Sequence, residues 1–237
     1  MVKDYIKSEF LKIIYNKWLC INTVVLIIFT PVICLFLNNF GKVVNINYYS
    51  NKLLYSLYLA QIWFIVFSTI YFGEEYKKSM LRTSMLSVPN RMKFFLTKQL
   101  CFIIYASIMF FIISLVSIIV INIYYCQNYF LNLIKLILPA YISTIELCLL
   151  SSSLVMISKS QVFPLSICIS GILGLGSFLA QFFKAAYYFP ILATMNCFFS
   201  INCTQYLNVE KGILCQGIWS IAFLLFSGIL FKCRNIK

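Results

Sequence analysis

From Leu53 to Lys78 the chain reads LLYSLYLAQIWFIVFSTIYFGEEYKK, an uncharged run up to Gly73 that breaks at once into Glu74, Glu75, Lys77 and Lys78. An α-helix rises about 1.5 Å per residue, so about 20 apolar residues cover the ~30 Å hydrocarbon layer of a bilayer. The run Leu53 to Gly73 is long enough to span, and the charges that end it mark a polar surface. Five further stretches have the same character: Trp18 to Asn38, residues 98–122 within Phe94 to Tyr125, Leu133 to Ile157, Val162 to Phe182 and Ile213 to Phe231. Together they predict an all-α membrane protein with six transmembrane helices in a single domain, residues 1–237.

Composition agrees. Of the 237 residues 62% are hydrophobic and 11% charged, with a mean hydropathy of +0.92. A soluble fold would expose most of that apolar surface to water. The loops are too short for an independent soluble domain, so any catalytic or ATP-binding domain is expected on another polypeptide.

The net charge of +13 would suit nucleic acid if it were clustered, but its distribution argues for a membrane. With the N-terminus inside, the inner segments carry Lys3, Lys7, Lys12, Lys17, Lys77, Lys78, Arg82, Arg91, Lys93, Lys98, Lys159, Lys232, Arg234 and Lys237. The outer segments keep only Lys42, Lys52, Lys135, Lys184 and Lys211. This positive-inside bias predicts a multi-pass plasma-membrane protein with both termini cytoplasmic and anionic lipid headgroups beside the basic residues. A secretory signal peptide fits poorly, because the charged region before Trp18 is long and no small-residue cleavage site follows the apolar run.

The first 17 residues place Val2, Ile6, Phe10, Ile13, Ile14 and Trp18 at helical spacing, with Lys3, Lys7 and Lys12 on other faces. They predict an amphipathic helix on the inner surface, against the alternative of a solvated basic tail. The segment 74–93 is the largest cytoplasmic loop. Its acidic pair suits a helix start, and Leu81, Met85 and Val88 form one apolar stripe before Pro89. Such a helix either transmits the grip of a soluble partner to the adjoining spans or only anchors the loop.

The connection Gln181 to Gly212 is aromatic and nearly uncharged, which predicts one or two interfacial or re-entrant helices on the outer side. Tyr48, Tyr49, Tyr124, Tyr125 and Tyr129 fall at that level, and Tyr15, Trp18, Tyr71 and Tyr76 at the inner one, as two aromatic belts. The ten cysteines are scattered and no histidine occurs, so no metal or cofactor site is expected. Cys126, Cys197, Cys203 and Cys215 near the outer face leave room for a disulfide, and the other cysteines read as small apolar fillers.

Glu146 is the only acid well inside a span. Its charge is costly at mid-bilayer, so it faces the bundle interior, faces a water-filled cavity, or is protonated. Ser143 and Ser153 share its helical sector, which makes the three a candidate substrate path. A structural hydrogen bond to a neighbouring helix is the alternative. The run Gly171 to Gly176 has a dinucleotide-like glycine spacing but no preceding strand, so Ser166, Ser170, Gly171 and Gly174 read instead as a surface for close helix packing. The lack of histidine excludes zinc-protease and Ser/His chemistry. The lack of a P-loop excludes ATP hydrolysis by this chain, and no catalytic residue is expected.

The N-terminal Lys7-Ser8-Glu9-Phe10-Leu11-Lys12, the six spans, the loop Glu75-Tyr76-Lys77-Lys78-Ser79-Met80-Leu81-Arg82-Thr83 with Ser87-Val88-Pro89-Asn90-Arg91, and the aromatic outer connection carry a resemblance. The chain resembles a permease subunit of the type-2 ABC exporter family, and more narrowly the permeases of lantibiotic-immunity and peptide-resistance transporters. The resemblance implies an elbow helix over residues 1–17. It also implies a coupling helix whose contacts with a separate ATPase fall on Glu74, Glu75, Tyr76, Lys77, Leu81, Arg82, Met85 and Pro89. It further implies a homodimer or a heterodimer with a second permease, and an antimicrobial peptide or similar amphipath as substrate. A stand-alone immunity protein that sequesters a bacteriocin, and a permease for a lipid, ion or drug, are the alternatives. A membrane-embedded lipid-modifying enzyme would need a concentrated polar site, and the sequence offers none beyond Glu146.

Overall fold

The computed structural model describes residues 2–36, 46–77, 90–125, 130–199, 203 and 205–233. Every regular element among them is helical, and six helices are long and apolar enough to cross a membrane, which makes this a multi-pass membrane protein. Helix α1 (Val2–Tyr15) and α2 (Lys17–Phe36) are separated by Asn16 alone. Its Oδ1 accepts the Trp18 N–H at 3.0 Å, a capping contact at the start of α2. Helix α3 (Ile46–Gly73) runs into a 3-10 turn, Glu74–Tyr76. Helix α4 (Arg91–Tyr125) starts on a second asparagine cap, with the Met92 and Lys93 N–H groups donating to Asn90 Oδ1 at 3.2 and 3.3 Å.

Helix α5 (Phe130–Ser158) ends at Lys159, whose φ of 56° takes the chain through the left-handed region into a tight reversal. The fifth span has the sequence-predicted limits but is not one helix. Helix α6 (Val162–Ser170) meets a π turn, Gly171–Leu175, and continues as α7 (Gly176–Phe182). Gly174 stands at φ 117°, open to glycine and strained for other residues, and this is what bends the span. The small residues of this run were expected to admit another span. Instead Gly171 receives the side chain of Ile191, Gly176 lies against Leu192, and Ser166 is exposed.

The outer connection folds into three short pieces: a 3-10 turn Lys184–Tyr188, helix α8 (Pro190–Ala193) and a 3-10 turn Met195–Phe198. They pack over α3, α5 and the last helix, α9 (Val209–Cys233). Leu192, Ala193, Cys197 and Phe198 turn inward while Phe182, Phe183 and Phe189 stay exposed. Asn196 staples the return, accepting the Cys203 N–H at 2.9 Å and donating to the Leu207 carbonyl at 2.8 Å. Cys197, Cys203 and Cys215 are free thiols, and Cys126 lies outside the described residues.

α3 and α5 are the centre of the body: 67% and 61% of their apolar windows are buried, against 17% for the fifth span and 22% for α9. The outward faces of the fifth span and α9 are mostly apolar, with Phe163, Ile167, Leu173, Phe178, Ile218 and Leu225 exposed, as on a lipid-facing helix. Tyr71 and Tyr49, read from sequence as belt markers, are instead buried core residues at 3% exposure, whereas Tyr15 and Trp18 are exposed as expected.

Candidate functional site

Besides Lys52 of α3, two places among the described residues bring acidic or basic side chains into this apolar body. The first lies where α1, the Glu74–Tyr76 turn and α4 meet. On α1, Ile6, Glu9 and Ile13 fall on one face, and that face packs inward, so Glu9 is fully buried. On α4, Phe94, Lys98 and Phe102 share a face, and Lys98 is likewise buried, at 1% exposure. Glu75 enters from the end of α3. Lys98 Nζ donates to Glu75 Oε1 at 2.7 Å and lies 3.9 Å from Glu9 Oε2. Lys12 Nζ bonds Glu9 Oε1 at 2.6 Å and reaches Glu75 Oε1 at 3.3 Å, while Tyr71 Oη donates to Glu9 Oε2 at 2.8 Å. Lys98 Nζ also sits 4.6 Å from the centre of the Tyr71 ring, a cation–π contact.

Among the described residues two carboxylates thus face two ammoniums, and these charges cancel. That balance is what makes burial tolerable, because an isolated ion loses several kcal/mol of hydration while the network returns Coulomb energy and hydrogen bonds. Burial draws the Lys12 ammonium downward, but Glu75 and Glu9 together outweigh it and hold Lys12 above its ordinary value. Lys12 was expected to point at headgroups. It turns to the two carboxylates instead, and its side chain is 42% exposed.

The second place is α5. Its polar side chains are shared among its neighbours. Gln61 of α3 donates to Thr144 Oγ1 at 3.3 Å and Ser143 Oγ at 3.4 Å, and Ser151 Oγ donates to Ser68 of α3 at 2.9 Å. Gln99 of α4 donates to Ser152 at 3.1 Å, and Gln216 of α9 donates to the Ser143 carbonyl at 3.0 Å. Glu146 is partly buried beside Gly217 of α9, and its Oε2 has no partner. Ser143 and Ser153 are fully buried; the Ser153 hydroxyl bonds back to the Leu150 carbonyl at 2.7 Å.

Of the residues expected at a partner contact, Glu75 is in the ion cluster, Glu74 and Tyr76 are half-buried beside it, and Lys77 is exposed. Leu81, Arg82, Met85 and Pro89 lie outside the described residues. The fold adds Glu9, Lys98 and Tyr71, which sequence reasoning missed. The signal was present as a single charge at helical spacing between apolar residues: Glu9 between Ile6 and Ile13, Lys98 between Phe94 and Phe102. No protein-family model matches the chain, and no curated protein matches it either.

Proposed function

We propose that this chain is the membrane-spanning permease subunit of an ABC-type exporter in the plasma membrane. It works with a separate ATPase bound on the cytoplasmic side and expels an antimicrobial peptide or similar amphipath. The observation that carries the reading is the buried ion cluster. Glu75 stands at the root of the segment 74–93, and its pairs with Lys98 and Lys12 bind that root to α4 and α1 in a medium where ion pairs are strong. Gln161, in the reversal after α5, packs on Gly73 just before the same root. A partner holding Glu74, Glu75, Tyr76, Lys77, Leu81, Arg82, Met85 and Pro89 would therefore pull on α1, α3, α4 and the α5–α6 reversal together. ATP-driven movement needs such a joint to bias the spans between two arrangements.

In this reading α1 is the elbow helix, both termini are cytoplasmic, and the segment 74–93 is the coupling element. Two permease copies, or this chain and a sister, enclose a path to which α5 contributes Glu146, Ser143 and Ser153. The test is purification of the tagged full chain from its own membranes. ATP hydrolysis should accompany the wild-type chain and be lost from L81A/R82A, with helical content unchanged. If protection against a bacteriocin survived L81A/R82A and no ATPase activity accompanied the folded chain, sequestration by a stand-alone protein would replace the exporter reading.

A further inference from the structure

The seam between α5 and α9 contains an imbalance that its own residues do not correct. Gln216 is fully buried, and its amide N–H is used on the Ser143 carbonyl, while its Oε1 accepts nothing. One turn along α5 from Ser143, Glu146 presents Oε2, also buried and also without a donor. Glu146 Oε1 lies beside Gly217, where an added Cβ would stand 3.1 Å from it, so α9 offers the carboxyl no side chain at that position. Each helix thus brings one orphaned acceptor to the seam: Gln216 bonds Ser143, one turn from Glu146, and Glu146 lies beside Gly217, the residue after Gln216. Among the described residues no charged group acts on the Glu146 carboxyl. A buried acceptor without a donor is destabilising, and an uncompensated buried charge is more so.

From this geometry we propose that the α5–α9 seam is a binding site for one hydrogen-bond-donating cation, taken up between Glu146 and Gln216. A cation with O–H or N–H donors neutralises the carboxylate and supplies the donor that both oxygens lack. A proton carried on Glu146 and a primary ammonium group share that chemistry. A quaternary ammonium does not, because it has charge but no N–H. The inference rests on the export reading only in that an ammonium-bearing amphipath would then be recognised at this layer of the path. The titratable group facing the carboxyl is Cys197, from the Met195–Phe198 turn. Burial, and secondarily the charge of Glu146, push its thiol up to about 12, so it stays protonated around neutrality.

The test uses the full chain in phospholipid nanodiscs without any ATPase, so its outcome is independent of ATPase association. Hexylammonium, hexyltrimethylammonium and hexanol are compared by equilibrium dialysis, and infrared difference spectra of wild type minus E146Q report the carboxyl. An ammonium site predicts saturable hexylammonium binding, weakened about tenfold or more in E146Q, in Q216L and with the trimethyl probe. A proton site predicts no saturable amine binding and a protonated-carboxyl band at neutral pH that E146Q lacks. G217A, whose Cβ crowds Glu146 Oε1, should weaken amine binding without removing a polar group. The proposal is overturned if E146Q, checked for helical content, binds all three probes like wild type and the wild-type spectrum shows only ionised carboxylate.

Discussion

The carboxylates at these two places differ in one respect: Glu9 and Glu75 meet ammonium groups at 2.6 to 3.9 Å, whereas Glu146 meets none among the described residues. The paired carboxylates sit where three elements join, and each element supplies part of the compensation. α1 brings Glu9 and Lys12, the end of α3 brings Tyr71 and Glu75, and α4 brings Lys98. Among the described residues each carboxylate of the cluster has an ammonium partner, so removing an ammonium leaves a charge behind. The Glu146 seam is incomplete, and removing its charge relieves a cost instead of creating one.

The sharpest way to break the comparison is K98M, which leaves two buried carboxylates sharing the one ammonium of Lys12. It should destabilise the detergent-solubilised protein by about 3–5 kcal/mol in denaturant unfolding, and E75Q/K98M should recover part of that loss. A neutral K98M would mean that the cluster opens to water. Next in size is Y71F, which deletes the hydrogen bond to Glu9 and should cost about 1.5–3 kcal/mol by the same measurement. K12M should matter less, within about 1 kcal/mol, because the side chain is 42% exposed and solvent screens it. The sign of its pH dependence follows from a folded-state value above the ordinary 10.5. Its contribution is full at neutral pH and is lost only as pH rises through that raised value, so the K12M difference should vanish only in strong alkali. E146Q should change stability least, within about 0.5 kcal/mol, because no described partner is lost. A loss as large as that of K98M would place Glu146 in a charge network and erase the contrast.

The same contrast explains what could be read in advance. Spans are a local property, so hydropathy found six apolar helices; α3 and α4 each start seven residues earlier than read, at Ile46 and Arg91, and in α3 the buried Tyr49, Ser50 and Lys52 extend its packed face. Glu146 was legible because an acid in an apolar run stands out by itself. Glu9 and Lys98 were not: each lies near a stretch that looks like a solvated membrane edge, and only folding brings residues 89 positions apart within 3.9 Å. Lys12 and Tyr71 were assigned to headgroups and to a belt for the same reason. The glycines of the fifth span were noticed, but small size signals close packing and chain bending alike. Gly174 does the latter, and only its backbone angle distinguishes the two.

That bend has a mechanical meaning. Along Gly171–Leu175 the α-helical ladder is interrupted, and the Ile172 carbonyl is taken instead by Tyr58 Oη of α3 at 2.8 Å. In lipid such a carbonyl cannot fall back on water. α4, with 35 residues in one helix about 50 Å long, is a strut that carries an axial push from end to end. The fifth span lacks that continuity: it is bent at Gly174, and the Tyr58 hydroxyl ties the bent stretch to α3, the most buried span.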